Sequence, residues 1–106
     1  MQVGISVASQ AQSAELSKGE AGKILAYMGC KPNKVVAVVQ GVGAASGPNA
    51  ALVIATCLEE GKPNSRKETF LYDNDLGWFF FKMNRHAGTV RVWSNSGFRQ
   101  FEPPAP

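Results

Sequence analysis

The stretch Trp78-Phe79-Phe80-Phe81-Lys82-Met83 decides how this chain is read. Aromatic residues favour extended backbone, and along a strand successive side chains point to opposite faces. Trp78, Phe80 and Lys82 therefore fall on one side and Phe79, Phe81 and Met83 on the other. Both sides are largely apolar, whereas one helix covers one face of a sheet. The second face is then expected to meet more of the chain itself, such as an N-terminal arm and long loops, or else a partner or a ligand.

Working toward the C-terminus, Asn84 to Gly88 reads as a turn, and Thr89 to Ser94 as the next strand. That strand places Thr89, Arg91 and Trp93 opposite Val90 and Val92. Asn95-Ser96-Gly97 turns again into Phe98 to Phe101, and the Glu-Pro-Pro-Ala-Pro tail, Glu102 to Pro106, cannot pair inside a sheet. From Leu76 to Phe101 there is no acid, while Lys82, Arg85, Arg91 and Arg99 all lie there, in a chain of formal charge +3. If Arg91 and Trp93 share a face with Trp78, Phe80 and Lys82, rings and cations interleave as on single-strand nucleic-acid platforms. The plainer reading makes Arg91 a solvated strand residue whose stem covers a ring. No RNP-type motif of aromatics and glycine accompanies the pattern.

Working toward the N-terminus, Asp73-Asn74-Asp75-Leu76-Gly77 is a hairpin connection to a strand at Glu68 to Tyr72. Asp73 and Asp75 are turn residues, because the further ligands and terminal glutamate of a calcium loop are missing. Lys62 to Lys67 reads as a polar turn or loop, and Val35-Val36-Ala37-Val38-Val39 as a strand buried on both faces. Gly41 to Gly47 has the look of a phosphate-cradling loop opening a helix toward Leu58. Val53, Ile54 and Thr56 favour a strand instead, and Glu59 and Glu60 sit badly at a helix C-terminus, so a hairpin turning at Gly47-Pro48-Asn49 is preferred.

The clearest local signal is Ser17-Lys18-Gly19-Glu20, a capping box. The helix it starts carries Ala21, Ile24, Leu25 and Met28 on one face and stops at Gly29, with Pro32 blocking continuation. Gly22 weakens it by about 1 kcal/mol relative to alanine, so its stability has to come from packing. Gln2 to Ala8 alternates like a half-buried strand, and a flexible arm is the equal alternative.

A chain of 106 residues, 44% hydrophobic and 18% charged, is expected to form one soluble domain over residues 1–106, and no apolar run approaches the roughly 18 residues of a membrane span. Cys30, Cys57 and the single His86 lack metal-site spacing, so no metal or cofactor is expected. Exported, the two cysteines would bridge; in a reducing cytoplasm they would be buried thiols. Met1 to Ala14 lacks the basic start and continuous apolar stretch of a complete signal peptide. No nucleophile pattern lies near His86, and no serine stands in Gly-x-Ser-x-Gly.

These readings converge on an α+β fold, one N-terminal helix packed on a four- to five-stranded antiparallel sheet. The expected function is a non-enzymatic binding module using an aromatic sheet face for a protein partner or a homodimer. Its partner-binding candidates are Trp78, Phe80, Lys82, Arg91 and Trp93. The alternatives are single-stranded nucleic-acid binding by the same strands, and a nucleotide-binding or enzymatic domain using Gly41 to Gly47.

Overall fold

The computed structural model describes residues 15–42 and 47–102. Among the described residues, one helix, α1 (Lys18–Tyr27), precedes six strands: β1 (Asn33–Gln40), β2 (Ala50–Glu59), β3 (Lys62–Asp73), β4 (Gly77–Asn84), β5 (Thr89–Ser94) and β6 (Gly97–Phe101). The strands form one antiparallel open sheet in sequence order, β1 to β6. Strands consecutive in sequence are neighbours in the sheet, which is the simplest way to satisfy the backbone of consecutive strands. The architecture is the expected α+β fold with a larger sheet. Gln2 to Ala8 and Pro103 to Pro106 lie outside the described residues.

The helix begins where the capping box places it. Ser17 Oγ accepts from Glu20 N at 3.0 Å, while the Glu20 carboxylate accepts from Asn95 Nδ2 in the β5–β6 turn. One half of the box thus closes the helix end, and the other ties it to the far side of the sheet. Ala21, Ile24 and Leu25 are buried with Ala51, Val53, Ala55 and Cys57 of β2, together with Leu16, Phe70 and Trp78. Each large side chain among these contributes roughly 1.5–3 kcal/mol by leaving water. Gly22 earns its place by approach: a Cβ there would meet Asn33 Oδ1 at 3.0 Å. Asn33 Nδ2 donates to Gly22 O at 3.0 Å and to Cys30 O at 2.8 Å, stitching the helix end to the start of β1.

Cys30 and Cys57 are paired in a disulfide with Cα atoms 5.1 Å apart, and both are fully buried. The bridge fastens the helix exit to β2, and the 27-residue separation corresponds to about 3–4 kcal/mol in the chain-entropy model. The Gln40 side chain clamps the helix entry, accepting from Leu16 N at 3.3 Å and donating to Leu16 O at 3.0 Å.

Two sequence expectations need correction. Lys62 to Lys67 is the first half of β3, not a loop, because Glu60 (φ 51°) and Gly61 (φ 78°) make a two-residue hairpin turn. Lys62 then stands opposite Glu59 and the ladder runs unbroken to Ala50 opposite Leu71. The valine run in β1 is not buried on both faces: Val36 is 51% exposed and Val39 40%. β1 is an edge strand with an irregularity between Val35 and Ala37, and α1 lies on one side of it.

The glycine stretch leads into β2 rather than a helix. Gly41 N donates to Ala50 O at 2.7 Å and Gly47 N to Gly41 O at 3.3 Å, so the described ends of this stretch close a β1–β2 hairpin. The helix start that would complement a phosphate is replaced by a strand. Among the described residues, no helix is long and apolar enough to cross a membrane.

Candidate functional site

Ladder register settles which side chains share a face. Tyr72 stands opposite Trp78, Phe80 opposite Trp93, Lys82 opposite Arg91, and Trp93 opposite Phe98. The five candidates Trp78, Phe80, Lys82, Arg91 and Trp93 are therefore brought to one face, and it is the face that carries α1. Trp78 belongs to the core at 2% exposure, with its ring 5.5 Å from that of Tyr72. Phe80 and Trp93 are half-buried against the same core, while Lys82 and Arg91 are exposed.

A chain of rings crosses this face. Centroids are 5.9 Å apart for Phe70 and Phe80, 6.0 Å for Phe80 and Trp93, and 5.3 Å for Trp93 and Phe98. The Arg91 guanidinium lies 5.6 Å from the Trp93 ring centroid, within cation–π range. Phe98, at the exposed end of the chain, was absent from the sequence-based candidates. Its signal is the alternation of β5 carried through the Asn95-Ser96-Gly97 turn.

Among the described residues, no helix packs on the opposite face. On it lie Phe79, Phe81 and Met83 of β4, Val90 and Val92 of β5 and Phe101 of β6, continued by Leu71 of β3 and by Leu52, Ile54 and Leu58 of β2. Phe81 is 38% exposed, Phe101 47% and Met83 59%, and the Phe79 and Phe81 rings are 6.2 Å apart. Met83, Val90 and Phe101 stand directly side by side across β4, β5 and β6. The reasoning that one helix leaves a second apolar face is thus realised here, in the residues that alternate with the five candidates. A strand pattern gives two faces but does not say which of them the helix takes.

Charge on this outer face is one-sided. Lys34, Lys67 and Arg99 stand on it, and its acid, Asp73, uses Oδ1 to accept from Asp75 N at 2.6 Å and Leu76 N at 3.0 Å in the β3–β4 turn. Toward the far end of β2 a shallow hollow of about 260 Å³ is lined by Pro32, Asn33, Lys34, Thr56, Leu58 and Pro63. It is smaller than the roughly 300–1,000 Å³ of small-molecule sites. His86 sits in an exposed turn shaped by Asn84, whose Oδ1 accepts from His86 N at 3.0 Å and Ala87 N at 3.1 Å. Among the described residues, no three potential metal-ligating side chains come together.

No family model, no curated protein and no solved structure matches this chain.

Proposed function

We propose that the protein is a non-enzymatic binding module that docks a protein partner on the sheet face away from α1. The observation that carries this reading is the row Met83, Val90 and Phe101, exposed at Met83 and Phe101, beside Phe79 and the exposed Phe81. Aromatic residues and methionine are the side chains that interfaces favour, and a contiguous apolar face is unfavourable to leave in water. The charges speak for a partner with acidic groups at its rim. Two copies meeting face to face would bring Lys34, Lys67 and Arg99 toward their own kind.

Light scattering together with an environment-sensitive apolar dye tests this. The expected result is a monomer whose dye binding is abolished by Phe81→Ser with Met83→Ser, with the urea midpoint little changed. Resistance of Met83 to peroxide in the monomer would mean the face is already covered, and the reading falls. A dimer dispersed by Met83→Glu would make a second copy the partner.

A second reading has its own observation, the Phe80, Trp93 and Phe98 ring chain with Arg91 on Trp93 and Lys82 beside it. Bases could stack on Trp93 and Phe98 while Lys82 and Arg91 meet phosphates. Because Trp78 is buried, oligonucleotide quenching would report on Trp93. Quenching that fades as salt rises supports this reading, and none at low salt removes it.

A further inference from the structure

The ladders bring two stretches of like sequence together. Lys31-Pro32-Asn33 leads into β1 and Lys62-Pro63-Asn64 opens β3, with β2 lying between them. Asn33 and Asn64 both stand opposite Cys57. One residue on, Pro63 stands opposite Leu58, whose N–H donates to Pro32 O at 3.1 Å. Leu58 therefore has a proline on either side. These three residues, with Lys34 and Thr56 opposite each other, line the hollow of about 260 Å³ at the far end of β2.

Parity puts this hollow on the outer face. Leu58 and Thr56 alternate with Cys57, which is buried on the helix side. The floor, Leu58, is 42% exposed. The walls are stiff, because the pyrrolidine ring fixes φ, and both prolines lie where a strand begins and a missing N–H is tolerated. A hollow with preset walls needs little ordering to receive an apolar group. Too small for most small-molecule ligands, it suits a single inserted side chain of the aromatic kind that anchors interfaces.

The charge around it is uneven. Lys34 is part of the wall, and Lys67 stands on the same face opposite Ile54. Over residues 31–72 the cations are Lys31, Lys34, Lys62, Arg66 and Lys67, and the acids are Glu59, Glu60 and Glu68. Two of these acids face the helix side and are engaged there. Glu59 Oε1 accepts from Asn64 Nδ2 at 2.9 Å, and its Oε2 lies 3.7 Å from Arg66 Nη1. Glu68 Oε2 accepts from Arg66 Nη2 at 2.7 Å and Nε at 3.0 Å. Glu60 sits in the β2–β3 turn, two residues before Lys62. Among the described residues, no acid pairs with Lys34 or Lys67.

We propose that this hollow is an anchor pocket for one aromatic side chain of a partner protein, carried in a segment with carboxylates on both sides of the ring. The ring lies on Leu58 between Pro32 and Pro63, and the carboxylates reach Lys34 and Lys67. The proposal rests on the protein-binding reading above and gives the partner a second foothold, about 25 Å along β3 from Leu71. Composition selects this occupant over others. Residues 1–14 and 103–106 contain neither an acid nor an aromatic ring. A second copy offers the exposed rings of Phe81, Phe98 and Phe101, but residues 76–102 hold four cations and the single acid Glu102.

The probe is a blocked peptide with one phenylalanine flanked by glutamates, compared with versions in which alanine replaces the phenylalanine or lysines replace the glutamates. In magnetic-resonance titrations of the isotope-labelled full chain, the first peptide should bind about tenfold or more tightly than either of the others and shift the Leu58 and Thr56 signals. Leu58→Lys should abolish this binding and Lys34→Glu weaken it about tenfold, with the melting temperature little changed because both side chains are exposed. Absence of binding at millimolar peptide overturns the pocket. Equal binding of the alanine peptide also overturns it, as does an equal response to a thymidine oligonucleotide, which gives the site to nucleic acid. Overhauser contacts from the Leu58 methyls to residues 1–14 or 103–106 in the free protein would assign the hollow to the chain itself, and a dimer dispersed by Leu58→Lys would assign it to a second copy. If the peptide fails while Phe81→Ser with Met83→Ser still abolishes dye binding, the pocket falls and the outer-face reading stands. Peptide binding at Leu58 in a monomer whose Met83 resists peroxide does the reverse.

Discussion

The two faces of the sheet are built from the same strands by the same alternation, yet they meet different fates. On the helix side, β2 offers Ala51, Val53, Ala55 and Cys57, with small residues where Ile24 and Leu25 must come close. On the outer side the same strand offers Leu52, Ile54, Thr56 and Leu58, larger or branched, and no described element packs over them. The contrast continues in β4, where Trp78 is buried and Phe81 and Met83 are exposed. Apolar character is similar on both faces. What distinguishes the covered one is its match in size to a helix that is pinned at both ends.

The strongest attack on this contrast is a pair of truncations. Trp78→Ala should cost about 3–5 kcal/mol, because it opens a cavity in the core, whereas Phe81→Ala should cost less than about 1 kcal/mol. Urea denaturation of both variants measures the difference, and equal losses would erase the distinction between the faces. Next in size is the pinning itself. Replacing Cys30 and Cys57 together by alanine should destabilise by about 3–4 kcal/mol and speed amide exchange in β2, on the helix side of the argument.

A smaller effect sharpens the idea of fitted approach. Gly22→Ala gains about 1 kcal/mol of helix propensity, yet the added methyl would press on an Asn33 side chain held by two hydrogen bonds. A net loss of about 1 kcal/mol is expected, measurable by thermal melting; a gain would show that the helix and β1 are free to separate. The smallest effect is on the outer face, where Met83→Ser should change stability by no more than about 0.5 kcal/mol while weakening apolar dye binding.

Local signals were legible where one or two residues carry the physics. The Ser17 cap, the hairpin at Asp73 to Gly77 and the strand alternation of Trp78 to Met83 need few partners to express themselves, and each stands as read. Lys62 to Lys67 was illegible as strand because its polarity is that of a solvated limb, and its conformation is imposed by the Glu60-Gly61 turn and by pairing with β2. The valine run of β1 misled in the other direction, since hydrophobicity does not reveal that a strand lies at an edge. The candidate site was half legible. Register joined Trp78, Phe80, Lys82, Arg91 and Trp93 on one face, but that face is the one the helix partly occupies, and Phe98 entered it only through the last hairpin.

By itself the sequence determined the helix and its cap, the antiparallel hairpins and the division of each strand into two faces, because these follow from backbone geometry and neighbouring residues. The tertiary structure alone decided which face the helix took, how far the β3–β4 ladder ran before the limbs parted, and that Cys30 meets Cys57. Those outcomes depend on side-chain volumes and strand twist accumulated over residues distant in the chain, which no local pattern contains.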